Sequence, residues 1–277
     1  MAKKTKDSLG DRMKANYENR SKTYLTRRTA ACIRLDGVHW HSFTRGFQRP
    51  YDAYLHEAMN ETMMYLCQNI MGCKFGYTQS DEITLILTDY DTLQTEAWFN
   101  YGVEKMCSVA ASMATMAFNK AFEKATREFR LRVSAGECTE QEQKLCATYE
   151  KALNIGAMFD ARVFNLPDEE VANALIWRQQ DATRNAIQML GQTHFSAKQL
   201  HEKSQSDIQD MLMLQKGINF NDMPTEFKRG VCCIRRHVPI DNPDQPVVTR
   251  YKWVIDTEIP IFTQDRQYIT KALPKRP

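Results

Sequence analysis

Residues Lys74 to Leu87, KFGYTQSDEITLIL, predict two short strands joined by a tight polar turn. The turn is Gln79-Ser80-Asp81-Glu82. Apolar residues occupy alternate positions on either side of it, and β-branched and aromatic types dominate, which is typical of strands. We expect these apolar residues to share one face of a sheet: Phe75, Tyr77, Ile83, Leu85 and Leu87. A segment as apolar as ITLIL indicates a buried strand rather than an arm of a surface hairpin.

Two adjacent carboxylates, Asp81 and Glu82, belong to this turn and lie at the rim of the predicted sheet. Neighbouring negative charges repel each other unless a cation lies between them. The pair therefore indicates a divalent metal site. A solvated polar turn explains the same residues equally well, so this stretch alone leaves both interpretations open.

A second acidic strand end supports the metal interpretation. The apolar run AACIRL, Ala30 to Leu35, ends at Asp36-Gly37, and a glycine lets the backbone approach a ligand closely. Between the two acidic ends, residues 52–71 show helical spacing, with Asp52 placed as an N-cap. A right-handed crossover makes the first strand parallel to one strand of the hairpin, so Asp36 and Asp81 should face each other across neighbouring strands. Two such carboxylates can hold two Mg²⁺ ions about 4 Å apart, the arrangement of a polymerase palm.

The remaining elements complete an α+β fold. Residues 91–127 predict a long helix, whereas residues 127–147 are charged and weakly periodic and predict an excursion from the fold. MFDARVFNL, Met158 to Leu166, predicts a fourth strand. The order βαββαβ is that of a ferredoxin-like, palm-type sheet with helices on one face. Asp160 is a third candidate carboxylate, and a paired structural charge is an equally good interpretation of it.

Further helices and a C-terminal hairpin follow the fourth strand. Residues 169–190 predict a helix with Arg178 and Arg184 on its polar side, and serines are placed to cap two shorter helices. Residues 230–236 and 251–255 predict the hairpin. We expect three regions: a disordered basic tail over 1–9, a catalytic domain over 10–236, and an extension packed on the same domain over 237–277.

Composition narrows the class of protein. The 277 residues are 43% hydrophobic and 26% charged, which suits a globular domain with a core. No run is long and apolar enough for a transmembrane helix, and the N-terminus lacks the apolar core of a secretory signal, so we expect no membrane association. Eight cysteines without a CxxC pair indicate free thiols, a cytoplasmic setting and no zinc site. Phosphate-binding GxxxxGK[ST], HExxH and GxSxG motifs are absent from the sequence.

Charge is unevenly distributed along the chain. The net charge is only +3, yet residues 1–30 hold nine basic side chains against three acidic ones. A basic arm of this kind suits contact with a phosphate backbone, and a solvated helix with a frayed tail is the alternative. Arg45 and Arg49 follow Asp36 closely and are placed to neutralise a triphosphate, or else lie on the surface.

The run RLDGVHWHSF, residues 34–43, resembles the RxDGxxFHxF motif of tRNA(His) guanylyltransferase and its Thg1-like relatives, which are 3′-to-5′ polymerases. Further similar motifs occur in the same order, and together they cover roughly residues 10–236: Arg49-Pro50, YTQSDE at 77–82, FDARV at 159–163, WRQQD at 177–181, and Gly217-Ile-Asn with Lys228-Arg-Gly230. Each motif alone is weak, whereas the ordered set is specific.

The resemblance implies a palm fold and specific site residues. Asp36, the carbonyl of Gly37, and Asp81 would bind two Mg²⁺ ions, with Glu82 supporting the catalytic carboxylates. We predict this set of nucleotide-binding residues: Arg34, Asp36, Gly37, Val38, His39, Trp40, His41, Arg49, Ser80, Asp81, Lys105 and Arg162. We predict tRNA contacts for Arg27, Arg28, Arg178, Arg184 and Lys228.

The resemblance also implies the reaction. Members of the family activate a tRNA 5′-monophosphate, usually with ATP, and the 3′-hydroxyl of GTP or another NTP then attacks the activated end. A homotetramer is implied as well. Where eukaryotic members have HINNLYNT, this chain has TRNAIQML at 183–190, and only Asn185 matches. We therefore expect the Thg1-like branch, which repairs 5′-truncated tRNA against a template.

Three alternatives remain open. In the first, the protein adds a single G to tRNA(His), so the added base does not depend on a template. In the second, it is another palm enzyme, such as a nucleotide cyclase, and needs no RNA. In the third, it binds tRNA without catalysis and needs no metal.

Overall fold

The structure is a computed structural model that describes residues 8–240 and 248–275. Its described part contains one antiparallel sheet of six strands in the order β4-β1-β3-β2-β5-β6. The strands are β1 Ala30–Gly37, β2 Cys73–Gln79, β3 Glu82–Leu87, β4 Phe159–Leu166, β5 Val231–Ile240 and β6 Val248–Asp256. The helices are α1 Leu9–Asn16, α2 Trp40–Phe43, α3 Ala53–Asn69, α4 Val103–Ser134, α5 Glu140–Ile155, α6 Asp168–His194, α7 Ala197–Leu200, α8 Gln205–Lys216, α9 Thr225–Arg229 and α10 Gln267–Thr270.

Strand direction follows from the pairing. β3 lies between β1 and β2 and is antiparallel to both, so β1 runs parallel to β2 without touching it. The prediction that the first strand is parallel to one strand of the hairpin is therefore correct, and that strand is β2. The strand next to β1 in the hairpin is instead antiparallel β3, and this places the end of β1 beside the start of β3.

Helices cover both faces of the sheet. On one face, Ile33, Leu35 and Leu85 belong to a large core that also holds apolar residues of α3, α4 and α5. On the other face, Phe75 and Tyr77 pack with residues of α6 and of the C-terminal segment. The prediction of helices on one face is therefore wrong.

The hairpin residues also divide between these two faces. Ile83, Leu85 and Leu87 lie in the core beneath α3 and α4, whereas Phe75 and Tyr77 lie in the core beneath α6. The prediction that all five share one face is wrong. Because both faces are covered, each of the six residues of β3 is buried.

Helix α3 begins where it was predicted to begin. Helix α6 covers the predicted range 169–190 and extends beyond it at both ends. Asp52 is the N-cap of α3 and accepts a hydrogen bond from the Leu55 amide. Ser196 caps α7 as predicted, whereas α8 is capped by Ser204 and begins at Gln205. The two-stranded C-terminal hairpin is present as β5 and β6.

The predicted excursion over 127–147 is wrong. Helix α4 continues to Ser134, and α5 follows it and packs on the core through Cys146, Tyr149 and Ala152. The Tyr149 hydroxyl donates a hydrogen bond of 2.7 Å to Asp52, which ties α5 to the start of α3. Long charged stretches of α4 and α5 face solvent and conceal this narrow buried stripe in the sequence.

The chain ends lie partly outside the described residues. Of the predicted disordered tail, residues 1–7 are not described, while Ser8 caps α1 and Leu9 begins it. Among the described residues, none of the helices combines the length and apolar character needed to span a membrane.

Candidate active site

The two acidic strand ends meet at one end of the sheet. Leu35 pairs with Ile83, so Asp36 lies beside the turn that carries Asp81. A Cβ atom placed on Gly37 would lie 3.1 Å from the Asp81 Cβ and 2.4 Å from the ring of Trp40. The second distance is too short for any side chain, so glycine is required at position 37 for the turn and the loop to pack this closely.

The two carboxylates form a negative site without a protein cation. The pKa of Asp81 is raised to about 6, chiefly by burial; a hydrogen bond with Ser80 lowers this pKa, and the nearby Asp36 raises it. Within the described ranges, no lysine, arginine or histidine forms an ion pair with Asp36 or Asp81. Hard oxygen ligands with uncompensated negative charge fit a divalent cation such as Mg²⁺.

Asp36 and Asp81 provide fewer metal ligands than a metal site formed by protein side chains alone. Over residues 8–240 and 248–275, no group of three or more His, Cys, Asp or Glu side chains is arranged to hold a metal ion. Mg²⁺ is commonly bound by one or two carboxylates together with substrate phosphates and water. Asp36, the Gly37 carbonyl and Asp81 suit the binding of Mg²⁺ together with substrate phosphates and water.

Glu82 lies next to these two carboxylates and forms a buried ion pair. The Arg178 Nε donates a hydrogen bond of 2.6 Å to Glu82 Oε1, and the Arg34 Nε lies 3.9 Å from Glu82 Oε2. Burial raises the pKa of Glu82, while Arg178 and Arg34 lower it. These contacts support the prediction that Glu82 has a supporting role.

Arg178 does not lie on the polar side of α6. It is buried with only 8% of its surface exposed, and its second hydrogen bond, of 2.7 Å, goes to Asp181. The predicted exposed position is wrong, because the helix turns this side chain toward Glu82 on the sheet. Arg178 therefore joins α6 to the active-site turn and is not positioned for tRNA contact.

Asp160 lies directly across from Asp36. The pairing of β1 with β4 sets Asp36 opposite Asp160, and Arg34 opposite Arg162. Arg162 also forms an ion pair of 3.6 Å with Asp160, and both side chains are about half exposed. The sheet thus brings together a third carboxylate and the predicted phosphate ligand Arg162, while the charge of Asp160 is partly compensated.

The loop after β1 adopts a left-handed backbone at His39, with φ of 55°. The Val38 amide donates to the Met158 carbonyl, and the Trp40 ring packs against Phe118 at 5.2 Å between ring centroids. Val38 and Trp40 therefore anchor the loop to the core. His39 and His41 remain exposed, as does Ser80 at the tip of the turn.

Two other predicted nucleotide-binding residues, Arg49 and Lys105, have surroundings that do not include the two carboxylates. Arg49 is exposed, and the Lys105 ammonium lies over the Phe99 ring at 5.5 Å. Neither contact places these cations against Asp36 or Asp81.

The predicted tRNA contacts fall into two groups. Arg27 donates a hydrogen bond of 2.6 Å to the buried Asp89, and the Arg28 amide donates to the same carboxylate. These two arginines fasten the N-terminal segment to the sheet. Arg184 is half exposed beside Asp181, at 3.7 Å, and the Lys228 ammonium donates to the Asn221 carbonyl.

A cavity that was not predicted from the sequence lies beside Ser80. It lies between α3, α6 and α9, and His56 on its wall is 2.8 Å from Glu226. Its wall includes Tyr51, Leu55, His56, Met59, Gln79, Ser80, Asn185, Met189, Glu226 and Phe227. These residues come from four separate segments, so no spacing within the sequence could have indicated the cavity.

Known proteins resemble this chain in sequence and in fold. A sequence model described as tRNA(His) guanylyltransferase, Thg1, matches residues 10–167, more than half of the chain. The chain belongs to the tRNA(His) guanylyltransferase family. The prediction from the motifs is confirmed, and with it the general class, since members of this family are nucleotidyltransferases.

Similar proteins extend over most of this Thg1 family chain. The structure of a bacterial tRNA(His) guanylyltransferase-like protein in complex with ATP is 40% identical, with a TM-score of 0.77 over 96% of this chain and 98% of that one. The tRNA(His) guanylyltransferase of Saccharomyces cerevisiae is 18% identical, with a TM-score of 0.62 over 90% of this chain and 98% of its own, and shows the fold alone. An uncharacterized protein of Acanthamoeba polyphaga mimivirus, R259, is 30% identical over 254 residues, 88% of this chain and 82% of its own.

The raised pKa of Asp81 predicts that this carboxylate destabilises the metal-free fold. Its folded-state pKa of about 6 lies above the ordinary value of 3.8, so stability falls as the pH rises between these values. Asp81→Asn should therefore raise the free energy of unfolding by about 2 kcal/mol at neutral pH in EDTA, and by much less near pH 4. Urea unfolding of both proteins at the two pH values measures this. An equal difference at both pH values would show that the buried charge is not responsible.

Proposed function

We propose that this protein adds nucleotides to the 5′ end of tRNA in the 3′-to-5′ direction, using the opposite strand as a template. The observation that carries the proposal is the meeting of Asp36 and Asp81 at one end of the sheet, where no cation of the described residues forms an ion pair with either. Membership of the family supplies the class of reaction. The strand order β4-β1-β3-β2 supports a ferredoxin-like, palm-type sheet as the scaffold.

We assign roles to residues on this geometry. Asp36, Asp81 and the Gly37 carbonyl would hold two Mg²⁺ ions, which when bound neutralise charge on the transferring phosphoryl group. Asp81 must be ionised to bind a cation, and its buried position keeps the distance to Asp36 short. Arg178 and Glu82 fix the turn that carries Asp81.

The nucleotide is expected next to the same turn. Ser80, at the tip, opens on the cavity between α3, α6 and α9, and Arg162 and His41 lie on the exposed side of the strand ends. Arg162 is placed two residues along β4 from Asp160, opposite Arg34, so two cations flank the carboxylates. They are suited to bind the phosphates of ATP, used for activation, and of GTP or another NTP, used for addition.

Two features support repair of truncated tRNA rather than addition of one G to tRNA(His). The HINNLYNT segment of eukaryotic members is replaced at 183–190, where Asn185 lines the cavity. The protein also shares 40% identity with a bacterial Thg1-like protein. We further propose a cytoplasmic location, in keeping with eight free cysteines, and a homotetramer, as the family resemblance implies.

The test is 5′ extension of two labelled tRNAs with ATP, each NTP and Mg²⁺. One tRNA is full-length tRNA(His) without its extra G, and the other lacks its first 5′ nucleotide opposite a defined base. We expect faster, base-matched addition to the truncated tRNA, and the added base should change when the opposing base is changed. Addition of G to tRNA(His) regardless of the opposing base would overturn the repair assignment. Addition to neither tRNA would favour the cyclase or binding-protein alternatives, which incubation with NTP alone separates.

A further inference from the structure

Trp177 is an exposed aromatic side chain on α6, beside the end of the sheet that carries the acidic residues. Its exposed fraction is 50%, although the next residue of the helix, Arg178, is buried. Among the described residues of α6, no other large apolar side chain is exposed to this extent. A single exposed aromatic residue is common on protein surfaces, so exposure alone does not indicate a site. The surroundings of the ring decide what it can do.

Two arginines hold the Trp177 ring in place. The Arg178 guanidinium lies 4.4 Å from the ring centroid, and the Arg34 guanidinium lies 5.6 Å from it. Arg178 is itself fixed by hydrogen bonds to Glu82 and Asp181. These cation–π contacts orient the indole before any ligand binds, so a ring that stacked on it would cost little conformational freedom.

The ring lies on the face of the sheet to which Asp36 belongs. Ala30 and Cys32 of β1 pack in the core beneath α6, and alternation along the strand places Arg34 and Asp36 on that same face. Two residues of a strand span only about 7 Å. Because Arg34 reaches the Trp177 ring, the exposed indole is a near neighbour of the proposed metal site.

Positive charge beside the ring is only partly compensated. Arg34 lies directly opposite Arg162 across β1 and β4, and like charges in that position repel each other. The Arg34 Nε is buried and has no hydrogen-bond partner among the described residues, and a buried donor of this kind is costly. Its ion pair with Glu82, at 3.9 Å, is longer than the 2.6 Å contact between Glu82 and Arg178. An anion bound on this face would therefore lie next to an exposed indole.

A nucleotide combines the two features that this surface can bind. Its phosphates supply negative charge for Arg34 and Arg162, and its base offers a flat aromatic face to the indole. A protein partner would need a wider apolar patch than one ring, and α6 exposes no second large apolar side chain in its described residues. A purely structural cation–π contact accounts for Arg178 but leaves the Arg34 donor without a partner.

We propose that Trp177 is a stacking platform for a nucleobase of the substrate, and that Arg34 and Arg162 bind a phosphate of the same nucleotide. The base belongs to a free NTP or to the 5′ end of the RNA, and the experiment separates these two sources. This inference rests on the proposed function in taking both molecules as substrates.

Loss of the indole should weaken the binding of ligands that contain a base and of no others. If the stacked base is that of the NTP, Trp177→Ala should raise the dissociation constant of ATP by about tenfold, and that of UTP by less, since a purine has the larger stacking face. Inorganic tripolyphosphate, which has the phosphates without a base, should bind within about twofold of the wild type. Isothermal titration calorimetry in Mg²⁺ measures all three affinities.

A second arm of the experiment uses RNA. The ligand is 5′-phosphorylated, truncated tRNA whose first nucleotide is either normal or abasic. If the stacked base is that of the RNA, Trp177→Ala should weaken binding of the normal tRNA by about tenfold and leave the affinities for abasic tRNA and ATP unchanged. A loss in either arm supports the proposal and identifies the base.

Two further variants separate stacking from packing. Trp177→Phe keeps an aromatic face and should retain most of the affinity, whereas Trp177→Leu keeps apolar bulk without such a face and should lose as much as Trp177→Ala. The matched control is Tyr17→Ala, which removes an aromatic ring that is 66% exposed just after α1 and should leave ATP binding within about twofold of the wild type.

Four results would overturn the proposal. They are unchanged binding of both ATP and normal tRNA by Trp177→Ala, an equal loss for ATP and tripolyphosphate, full affinity in Trp177→Leu, and an equal loss of ATP affinity in Tyr17→Ala. The second would mean that Trp177 acts only by positioning Arg34, and the third that the ring serves only for packing.

The stacking proposal and the proposed function can fail separately. A wild-type protein that extends tRNA, while Trp177→Ala binds ATP and tRNA normally, would refute the stacking proposal alone. A wild-type protein that loses ATP affinity but not tripolyphosphate affinity in Trp177→Ala, and yet adds no nucleotide to tRNA, would refute the proposed function alone.

Discussion

Asp36→Asn is expected to reduce nucleotide addition to tRNA by about a thousandfold or more. The substitution keeps the shape of the side chain but removes one of two negative charges that meet at the end of β1. Without it, the divalent cations that neutralise the transferring phosphoryl group lose a ligand. The measurement is the single-turnover rate of 5′ addition at saturating tRNA and NTP, over a range of Mg²⁺ concentrations.

The neighbouring strand offers a matched control. Asp160→Asn removes a carboxylate directly across from Asp36, but one that is paired with Arg162 and half exposed. If Asp160 is a structural partner, this variant should lose less than about tenfold in rate. A full rate in Asp36→Asn would refute the catalytic assignment, and an equally large loss in Asp160→Asn would make Asp160 a third carboxylate of the site.

Removal of Arg178 is expected to have the largest effect on stability. Arg178→Met leaves Glu82 buried without its closest cation, and loss of one partner of a buried ion pair costs about 3–5 kcal/mol. Urea unfolding measures the loss. The double variant Glu82→Gln/Arg178→Met should be more stable than Arg178→Met alone, since it leaves no unpaired charge.

An exposed arginine on the same helix is the control for this pair. Arg184→Met changes a half-exposed side chain 3.7 Å from Asp181 and should cost less than about 1 kcal/mol. Equal losses for Arg178→Met and Arg184→Met, with no recovery in the double variant, would show that the Glu82–Arg178 contact does not stabilise the fold.

The sequence was sufficient to bring the two acidic strand ends together. Asp36 follows the apolar segment AACIRL, Asp81 comes shortly before the apolar segment ITLIL, and the helix between them leaves few ways to connect the strands. The hydrophobic pattern therefore predicts that the two carboxylates meet. Local capping signals placed Asp52 and Ser196 correctly, whereas the cap predicted at Ser206 lies at Ser204.

Contacts between distant segments were not predictable from one sequence. Arg178 lies 96 residues from Glu82, and its polar sequence neighbours Gln179, Gln180 and Asp181 suggested the polar side of the helix. The burial of Arg178 is decided by packing of α6 on the sheet. Similarly, α5 buries only a narrow stripe, and its charged faces dominate the composition of residues 140–155.

The assignment of hairpin residues to faces failed for a related reason. An alternating pattern identifies the two faces of one strand but not which face meets which helix layer. Because both layers are apolar, Tyr77 and Leu85 each find a core on opposite sides of the sheet. Only the tertiary arrangement distinguishes the two positions.

The complete burial of β3 has a consequence for motion during the reaction. This strand has neighbours on both edges and helices on both faces, so it cannot bend or separate without opening both cores. Asp81, in the turn immediately before β3, is therefore held in place by a rigid strand. Adjustment to successive nucleotides along an RNA must come from the substrate and from exposed segments such as the loop carrying His39 and His41. In the proposed function, the end of the sheet that carries Asp36 and Asp81 is the stationary reference against which each new 5′ end is positioned.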